Sequence, residues 1–399
     1  MAATRKDQIT APRQVLYLAF ELGGGRWKLA FTVGQGQAPR FRSMPAREVE
    51  VLEVEIAKAK RRFGLPADAR VVSCYEAGRD GFWLHRYLVK QGVENSIVDS
   101  SSIEVNRRKR RAKSDGLDAA KLLSMLVRFH SGEVKVWSVV RVPEAAAEDQ
   151  RQLHRELLDL KDQRTSLGNT LQGLLASQGL AVPMVDEHFV KHLEALRLWD
   201  GSAVPGEMQA RLLRAWERWR FVDRQIKDLE AERKKRIRRS QTPHVDQVRR
   251  LLEMRGIGLN GAWLLVFELF AWRQIRNRRQ LGGLVGLVPT PYQSGDSQRE
   301  QGISKAGNRH VRKIMIELAW GWLRWQPDSA LSQWFERRFG CGNKRARKIG
   351  IVALARKLLI ALWRYLEQGE LPQGAKLCAW QPKVNGRKGE PAPELALSA

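Results

Sequence analysis

The sequence predicts a mixed α/β domain at the N-terminus, then long paired helices, then an all-α C-terminal domain. Three observations predict this. Short apolar runs alternate with helical patterns up to about residue 143. Leucines and tryptophans at 4-3 spacing run between Leu153 and Leu229, the mark of a coiled-coil seam. From Val248 onward apolar residues recur with helical periodicity around a short glycine-containing turn.

Val15 to Glu21 (VLYLAFE) is an apolar run that ends at an acid and is followed by Gly23-Gly24-Gly25. Trp27 to Val33 lies across that turn, so the two read as a hairpin. Arg40 to Met44 is a third short strand, and Ala46 to Phe63 is helical with mixed charges. Arg70 to Tyr75 reads as a buried strand, again ending at an acid, Glu76. Phe82 to Gln91 is helical, Ser96 to Asp99 is a brief strand, and a helix starts at Asp115 and runs to about Arg128. Three strands, helix, strand, helix, strand, helix is the order of an RNase H-like (RuvC-like) mixed sheet. The first domain is expected over residues 1–143.

Residues 144–244 are expected to form a helical, coiled-coil region that joins protomers. Leu153, Leu157, Leu160, Leu167, Leu171 and Leu174 follow 4-3 spacing, with Arg164 in the one gap. Leu212, Trp216, Trp219, Val222, Ile226 and Leu229 nearly repeat it, and Pro183 and Gly201 to Pro205 break the chain between them. The second helix ends in Arg233, Lys234, Lys235, Arg236, Arg238 and Arg239, a cluster suited to a phosphate backbone. Residues 245–370 are expected to form the C-terminal domain. There Arg255-Gly256-Ile257-Gly258 resembles the turn of a helix-hairpin-helix, whose backbone N–H groups hold phosphate. Gly282 to Ser297 reads as loop, helices follow over about Gly307–Trp325 and Arg345–Leu366, and residues 371–399 read as a disordered tail.

Lys and Arg total 70 against 43 Asp and Glu, a formal net charge of +27. A surplus that large points to a polyanionic partner, of which nucleic acid is the usual one. No stretch reaches the ~18 apolar residues of a membrane span, and the N-terminal residues show no apolar signal core. The three cysteines are scattered and make neither zinc spacing nor a disulfide framework, which fits a reducing cytosol.

Four carboxylates carry candidate chemistry: Glu21 and Glu76 at strand ends, and Asp115 with Asp118 at a helix start, three apart and so on one helix face. Taken singly, Asp115 reads as a helix cap with Asp118 its partner. Taken together, four acids at one sheet edge would repel unless a cation neutralised them. Oxygen donors of this kind suit Mg²⁺, or Mn²⁺, acting as a Lewis acid on phosphodiesters. A basic segment, Arg107, Arg108, Lys109, Arg110, Arg111 and Lys113, precedes that helix.

Several stretches then resemble the DEDD transposases of the insertion sequence one-ten family: YLAFE with WKLAF, CYEAG, RAKSDGLDAAKLL, the RGIG turn, and the long GLVPTPYQSGDSQREQGISKAGNRHVRKIMIELAW. They spread over residues 17 to 325, most of the chain. The family's first acid is usually aspartate; Glu21 stands at that position. The resemblance implies a RuvC-like domain with a Mg²⁺ site on Glu21, Glu76, Asp115 and Asp118, and a C-terminal domain that supplies a serine nucleophile, Ser294. Residue chemistry alone makes Ser294 a turn residue beside glycine, and Ser297 and Ser304 are nearby alternatives. Ser304 also suits a helix cap or a phosphate contact with Lys305, and Arg309, Arg312 and Lys313 are candidate phosphate clamps. The resemblance further implies DNA as substrate, a structured guide RNA, and a homo-oligomer whose composite site takes acids from one protomer and serine from another. Two alternatives stay open: a RuvC-like junction nuclease that uses water, and a nucleic-acid-binding protein with a decayed catalytic site.

Overall fold

The computed structural model describes residues 15–104, 114–180, 185–294 and 297–378. The chain divides into two compact units, Met1–Val142 and Pro143–Ala399.

The first unit is built on one mixed sheet. Strands β1 (Val15–Leu22), β2 (Arg26–Thr32) and β3 (Arg40–Pro45) come first, then helix α1 (Val49–Arg62), β4 (Arg70–Glu76), α2 (Trp83–Lys90), β5 (Glu94–Val98) and α3 (Asp115–His130). The spatial order is β3-β2-β1-β4-β5. The first three strands are mutually antiparallel, whereas β4 runs parallel to β1 and β5 parallel to β4. The element order read from the sequence is the one observed. β1 is central and buried on both sides, which is why it reads as a continuous apolar run rather than an alternation. Its even residues Leu16, Leu18 and Phe20 join one core with Leu52 of α1 and Leu84 and Leu88 of α2. Ala19, with Val72 and Cys74 of β4, packs instead on Ala119, Leu122 and Leu126 of α3. The β1–β2 turn needs glycine, because a Cβ on Gly23 would stand 2.4 Å from the Arg26 carbonyl oxygen.

The second unit holds α4 (Ala145–Asp149), α5 (Gln152–Ala176), α6 (Phe189–Ala195), α7 (Gly206–Arg239), α8 (Pro243–Leu252), α9 (Leu259–Leu265) and α10 (Arg278–Val285). A hairpin of β6 (Pro289–Ser294) and β7 (Ser297–Ile303) follows, then α11 (Arg309–Trp325), α12 (Ala330–Phe339) and α13 (Lys344–Gln368). The two leucine-rich seams pack on each other within one chain. Leu157 and Leu160 meet Val222 and Ile226, and Leu171 and Leu175 meet Leu212 and Trp216, so α5 and α7 are antiparallel. The apolar stripe expected to join protomers is therefore buried intramolecularly. Arg164, the gap in the heptads, donates to Asp223 of α7 at 2.6 Å, so the break in the seam is an ion pair across it. Burial alone would raise the Asp223 carboxyl, but hydrogen bonds from Arg164 and Lys227 hold it below its usual value.

One core gathers α8, α9, α10, α11 and α13, with Trp263, Trp322, Leu354 and Leu358 fully buried. Two expectations change here. The stretch read as loop contains the second half of α10 and strand β6, up to the first residue of β7. The tail read as disordered from residue 371 is ordered to Cys378: Leu377 bridges Met254, and the Cys378 N–H donates to the Glu253 carbonyl at 2.7 Å. Residues 379–399 lie outside the described ones.

Candidate active site and nucleic-acid surfaces

The parallel register between β1 and β4 pairs Ala19 with Cys74 and Phe20 with Tyr75. The next step along both strands brings Glu21 beside Glu76, on neighbouring strands about 4.8 Å apart. Phe20 and Tyr75 face α1 and α2, so the pleat turns Glu21 and Glu76 toward the face that α3 covers. Helix α3 runs antiparallel to these strands. Its last residue, His130, lies edge-on to Tyr17 near the start of β1, ring centroids 6.0 Å apart. Midway, the Cys74 thiol donates to the Leu122 carbonyl at 3.8 Å. One turn earlier on α3 is Asp118, and two residues later on β4 is Glu76, so the first turn of α3 rises over the acid-bearing edge. Glu21 and Asp118 are half-buried, while Glu76 and Asp115 are exposed.

Ser114, not Asp115, caps this helix, accepting from the Leu117 N–H at 3.3 Å. Asp115 is thereby freed from the capping role, and both aspartates sit in the first turn, where the helix dipole favours negative charge. Among the described residues, no cation pairs with Glu76, Asp115 or Asp118. Also among the described residues, no three acid, His or Cys side chains already converge as a ligand set. The acids share an edge and a face. Their donors are all carboxyl oxygens, which is the chemistry of a hard divalent cation. Asp99, at the end of β5, does not belong with them: it accepts from the Ser101 N–H and hydroxyl and is spent as a local cap.

Lys28 was missed in the sequence. It stands directly opposite Glu21 in the β1–β2 register, on the same face, and donates to the Ser43 hydroxyl at 3.2 Å. Counting back from the three-glycine turn gives the pairing. A cation beside the first acid is placed to meet a phosphate brought to that edge.

Ser294 is the last residue of β6 and pairs with Ser297, so it closes the hairpin at its tip. The Ser294-Gly295-Asp296-Ser297 sequence is the two-residue turn signal that would have found this hairpin. The strap that follows is fixed by its backbone. Ser304 N–H donates to Val288 O at 2.9 Å, and Lys305, held at φ +55°, donates to Gly286 O at 3.2 Å. The cap of α11 is Asn308, which accepts from the His310 and Val311 N–H groups, so Ser304 has no capping role. Arg312 does not face outward as a phosphate clamp; it donates to the Val285 and Ala306 carbonyls at 3.0 and 3.1 Å. Arg309 and Lys313 are exposed.

Behind that cap lies a buried polar cluster. Glu268, 2% exposed in the π-helical segment Val266–Phe270, accepts from Arg155 at 2.7 and 3.1 Å and from the Asn308 amide at 2.9 Å. Burial would raise its carboxyl, but these donors hold it below its ordinary value. Nearby, Arg233 is 2% exposed and donates to Asn260 at 2.6 Å, with the His154 ring at 3.1 Å. Arg233 therefore drops out of the phosphate-facing set. Burial pushes it down to about 10, and burial, then Arg233, pushes His154 down to about 3. Lys235 and Arg236 are exposed, Lys234 half-buried, and Arg236 pairs with Glu232.

The RGIG turn joins α8 to α9 as expected. Gly256 sits at φ +93°, and a Cβ there would press within 3.0 Å of Trp325. Arg255 lies over the Trp325 ring at 5.6 Å, and its N–H donates to Lys376 O at 3.2 Å. Gly258 is the N-cap residue before α9. Arg107, Arg108, Lys109, Arg110, Arg111 and Lys113 lie outside the described residues. No helix among the described residues is long and apolar enough to cross a membrane.

With this geometry in place, residues 248–334 match a family model described as Transposase IS116/IS110/IS902 family. Over 377 residues, 90% of this chain and 94% of its counterpart, the sequence is 36% identical to "Putative transposase y4rJ" of Sinorhizobium fredii. It is 29% identical over 232 residues, 57% of this chain and 66% of the other, to "Probable family 20 transposase" of Pseudomonas aeruginosa. It is 26% identical over 219 residues, 54% and 62% respectively, to "Transposase for insertion sequence element IS1328" of Yersinia enterocolitica.

Proposed function

The chain belongs to the IS116/IS110/IS902 family of transposases, enzymes that act on DNA, and from that premise we propose that it cuts and rejoins DNA strands through a serine-linked intermediate. The first unit is read as an RNase H-like, RuvC-like domain. The observation that carries this is the register of β1 and β4, which sets Glu21 beside Glu76 at the edge under the first turn of α3.

In this reading Ser294 attacks a DNA phosphorus. A serine-oxygen-to-phosphorus bond forms, the bond to the sugar oxygen breaks, and the released strand end carries away a hydroxyl. The serine proton leaves to water or a carboxylate. A hydroxyl from another strand then attacks the phosphoserine, restores a phosphodiester and frees the serine. One phosphoester bond is exchanged for another at each step, so rejoining needs no high-energy cofactor. Mg²⁺ (or Mn²⁺), held by Glu21, Glu76, Asp115 and Asp118, would supply Lewis-acid stabilisation of the charge that builds on phosphate oxygens. Lys28 adds a fixed cation at that edge. Glutamate at position 21 is one methylene longer than aspartate and still offers carboxylate oxygens to a hard cation.

The donor and target DNA are selected by pairing with a structured guide RNA, and the net charge of +27 suits two nucleic-acid partners. Acids and serine come from different protomers of a homo-oligomer. Because the α5–α7 seam is closed within one chain, contacts between protomers use other surfaces of that helical pair.

The test is metal-dependent cutting of element-end DNA in the presence of the flanking noncoding RNA. Cutting that requires Mg²⁺ and falls by about 10³-fold or more in Asp118→Asn and Glu76→Gln is expected, on the scale of losing a group that stabilises transition-state charge. Cutting that persists in both variants would remove the carboxylate edge from the mechanism.

A further inference from the structure

A cavity of about 580 Å³ opens at the foot of the β6–β7 hairpin, within the size range of small-ligand sites. Its floor is apolar, formed by Leu287, Ile303, Val352 and Ile360 with the ring of Trp334. Its rim is cationic: Arg278 and Arg279 from α10, and Lys348, Arg356 and Lys357 from α13. No acid lines it, and among the described residues none of these five cations takes an ion pair. Lys357 rests over Trp334 with its ammonium 4.6 Å from the ring centroid.

Two features need an anion. Cations that converge on one opening without counter-charge repel one another. Arg278 and Arg279 also occupy the first turn of α10, where the helix dipole disfavours positive charge and no acid offsets it. A simple anion would satisfy the rim but leave the apolar floor uncovered. The ligand that uses both is flat, π-faced and joined to a phosphate.

We propose that this cavity binds one unstacked nucleotide of a single strand, its base on the floor beside Trp334 and its phosphates against the five-cation rim. The inference rests on the reading of the protein as one that acts on nucleic acid. Pro289, at the cavity, and Ser294 are five residues apart on one strand, a separation of roughly 17 Å. A nucleotide seated here anchors its strand at a fixed distance from the hairpin tip, and so sets which phosphate reaches Ser294. DNA and guide RNA both carry this chemistry, and the two arms of the test separate them.

The experiment uses the full-length protein with short single strands that carry one 5-iodouracil, made once as deoxyribonucleotide and once as ribonucleotide, photo-crosslinked and mapped by mass spectrometry. A crosslink at Trp334 is expected. In the DNA arm alone it assigns the pocket to the substrate strand, and in the RNA arm alone to the guide. Arg279→Ala and Lys348→Ala are solvent-facing changes that leave the core intact. Each is expected to lower the slope of log affinity against log salt by about 1. Val352→Trp, which fills the floor, is expected to weaken strand binding about tenfold, the scale of one lost stacking contact. If Val352→Trp does not fold, the two surface variants carry the test. Crosslinks that map only elsewhere, with an unchanged salt slope in Arg279→Ala and Lys348→Ala, overturn the pocket. A serine–DNA adduct formed without any Trp334 crosslink overturns the pocket alone and leaves the proposed reaction standing.

Discussion

Gly286 sits at φ +67°, and a Cβ there would stand 2.1 Å from the Ala306 carbonyl oxygen. It ends α10 and accepts the Lys305 N–H, so it pins the strap behind the hairpin. Gly286→Ala is expected to cost at least about 2 kcal/mol, from left-handed strain and the clash together. A denaturant midpoint equal to that of the unmodified protein would show that the strap shifts freely. A second prediction concerns His154. Burial and Arg233 push its ring down to about 3, so it is neutral when folded and takes up a proton on unfolding below about pH 6.5. A folded value below the unfolded one means stability is lost as pH falls: about 1.4 kcal/mol per pH unit while the site titrates, between roughly pH 6 and 4. His154→Gln, whose amide oxygen can still accept from Arg233, is expected to remove about that much slope. Equal slopes for both proteins would contradict the burial argument. At this scale the sequence was uneven. Glu21 and Glu76 were legible because each ends an apolar run. Arg233 was misread because six cations in seven residues look alike until a tertiary partner, here Asn260, takes one inward.

The helix α3 links local sequence to the site. Its cap is Ser114, its sheet-facing stripe is Ala119, Leu122 and Leu126, and its first turn presents Asp115 and Asp118. Ser114→Ala is expected to cost about 1 kcal/mol and to loosen the turn that carries both aspartates. Hydrogen exchange of the Leu117 and Asp118 amides reads this directly, and unchanged protection there would contradict the capping role. The β strands were legible from periodicity because a central strand buried on both faces needs unbroken apolar residues. The hairpin that ends at Ser294 was not, since Pro289, Pro291 and the polar residues of β7 carry little apolar alternation. The leucine seams were recognised, but not their partner: a 4-3 stripe states that a helix must pair, and only the short α6 segment and the chain's return decide that it pairs with itself.

Across the whole molecule, the sequence disclosed a sheet-bearing unit, a helical remainder and a polyanion-binding charge. It also disclosed the family, through motifs spread over most of the chain. It did not disclose the order of Leu371 to Cys378, because those contacts are backbone hydrogen bonds with Glu253 and Arg255 and main-chain bonds of Lys376 with the Gln326 side-chain amide, all distant in sequence. The two units divide the proposed chemistry: acids in Met1–Val142 and the serine in Pro143–Ala399. A denaturing gel of protein, element-end DNA, flanking RNA and Mg²⁺, with Ser294→Ala and Asp115→Ala alongside, reads the serine-linked intermediate directly. A covalent protein–DNA adduct that requires Mg²⁺ and disappears in both variants is expected. Cutting that yields no adduct and persists in Ser294→Ala would contradict it, and would assign the carboxylate edge to a nuclease that uses water.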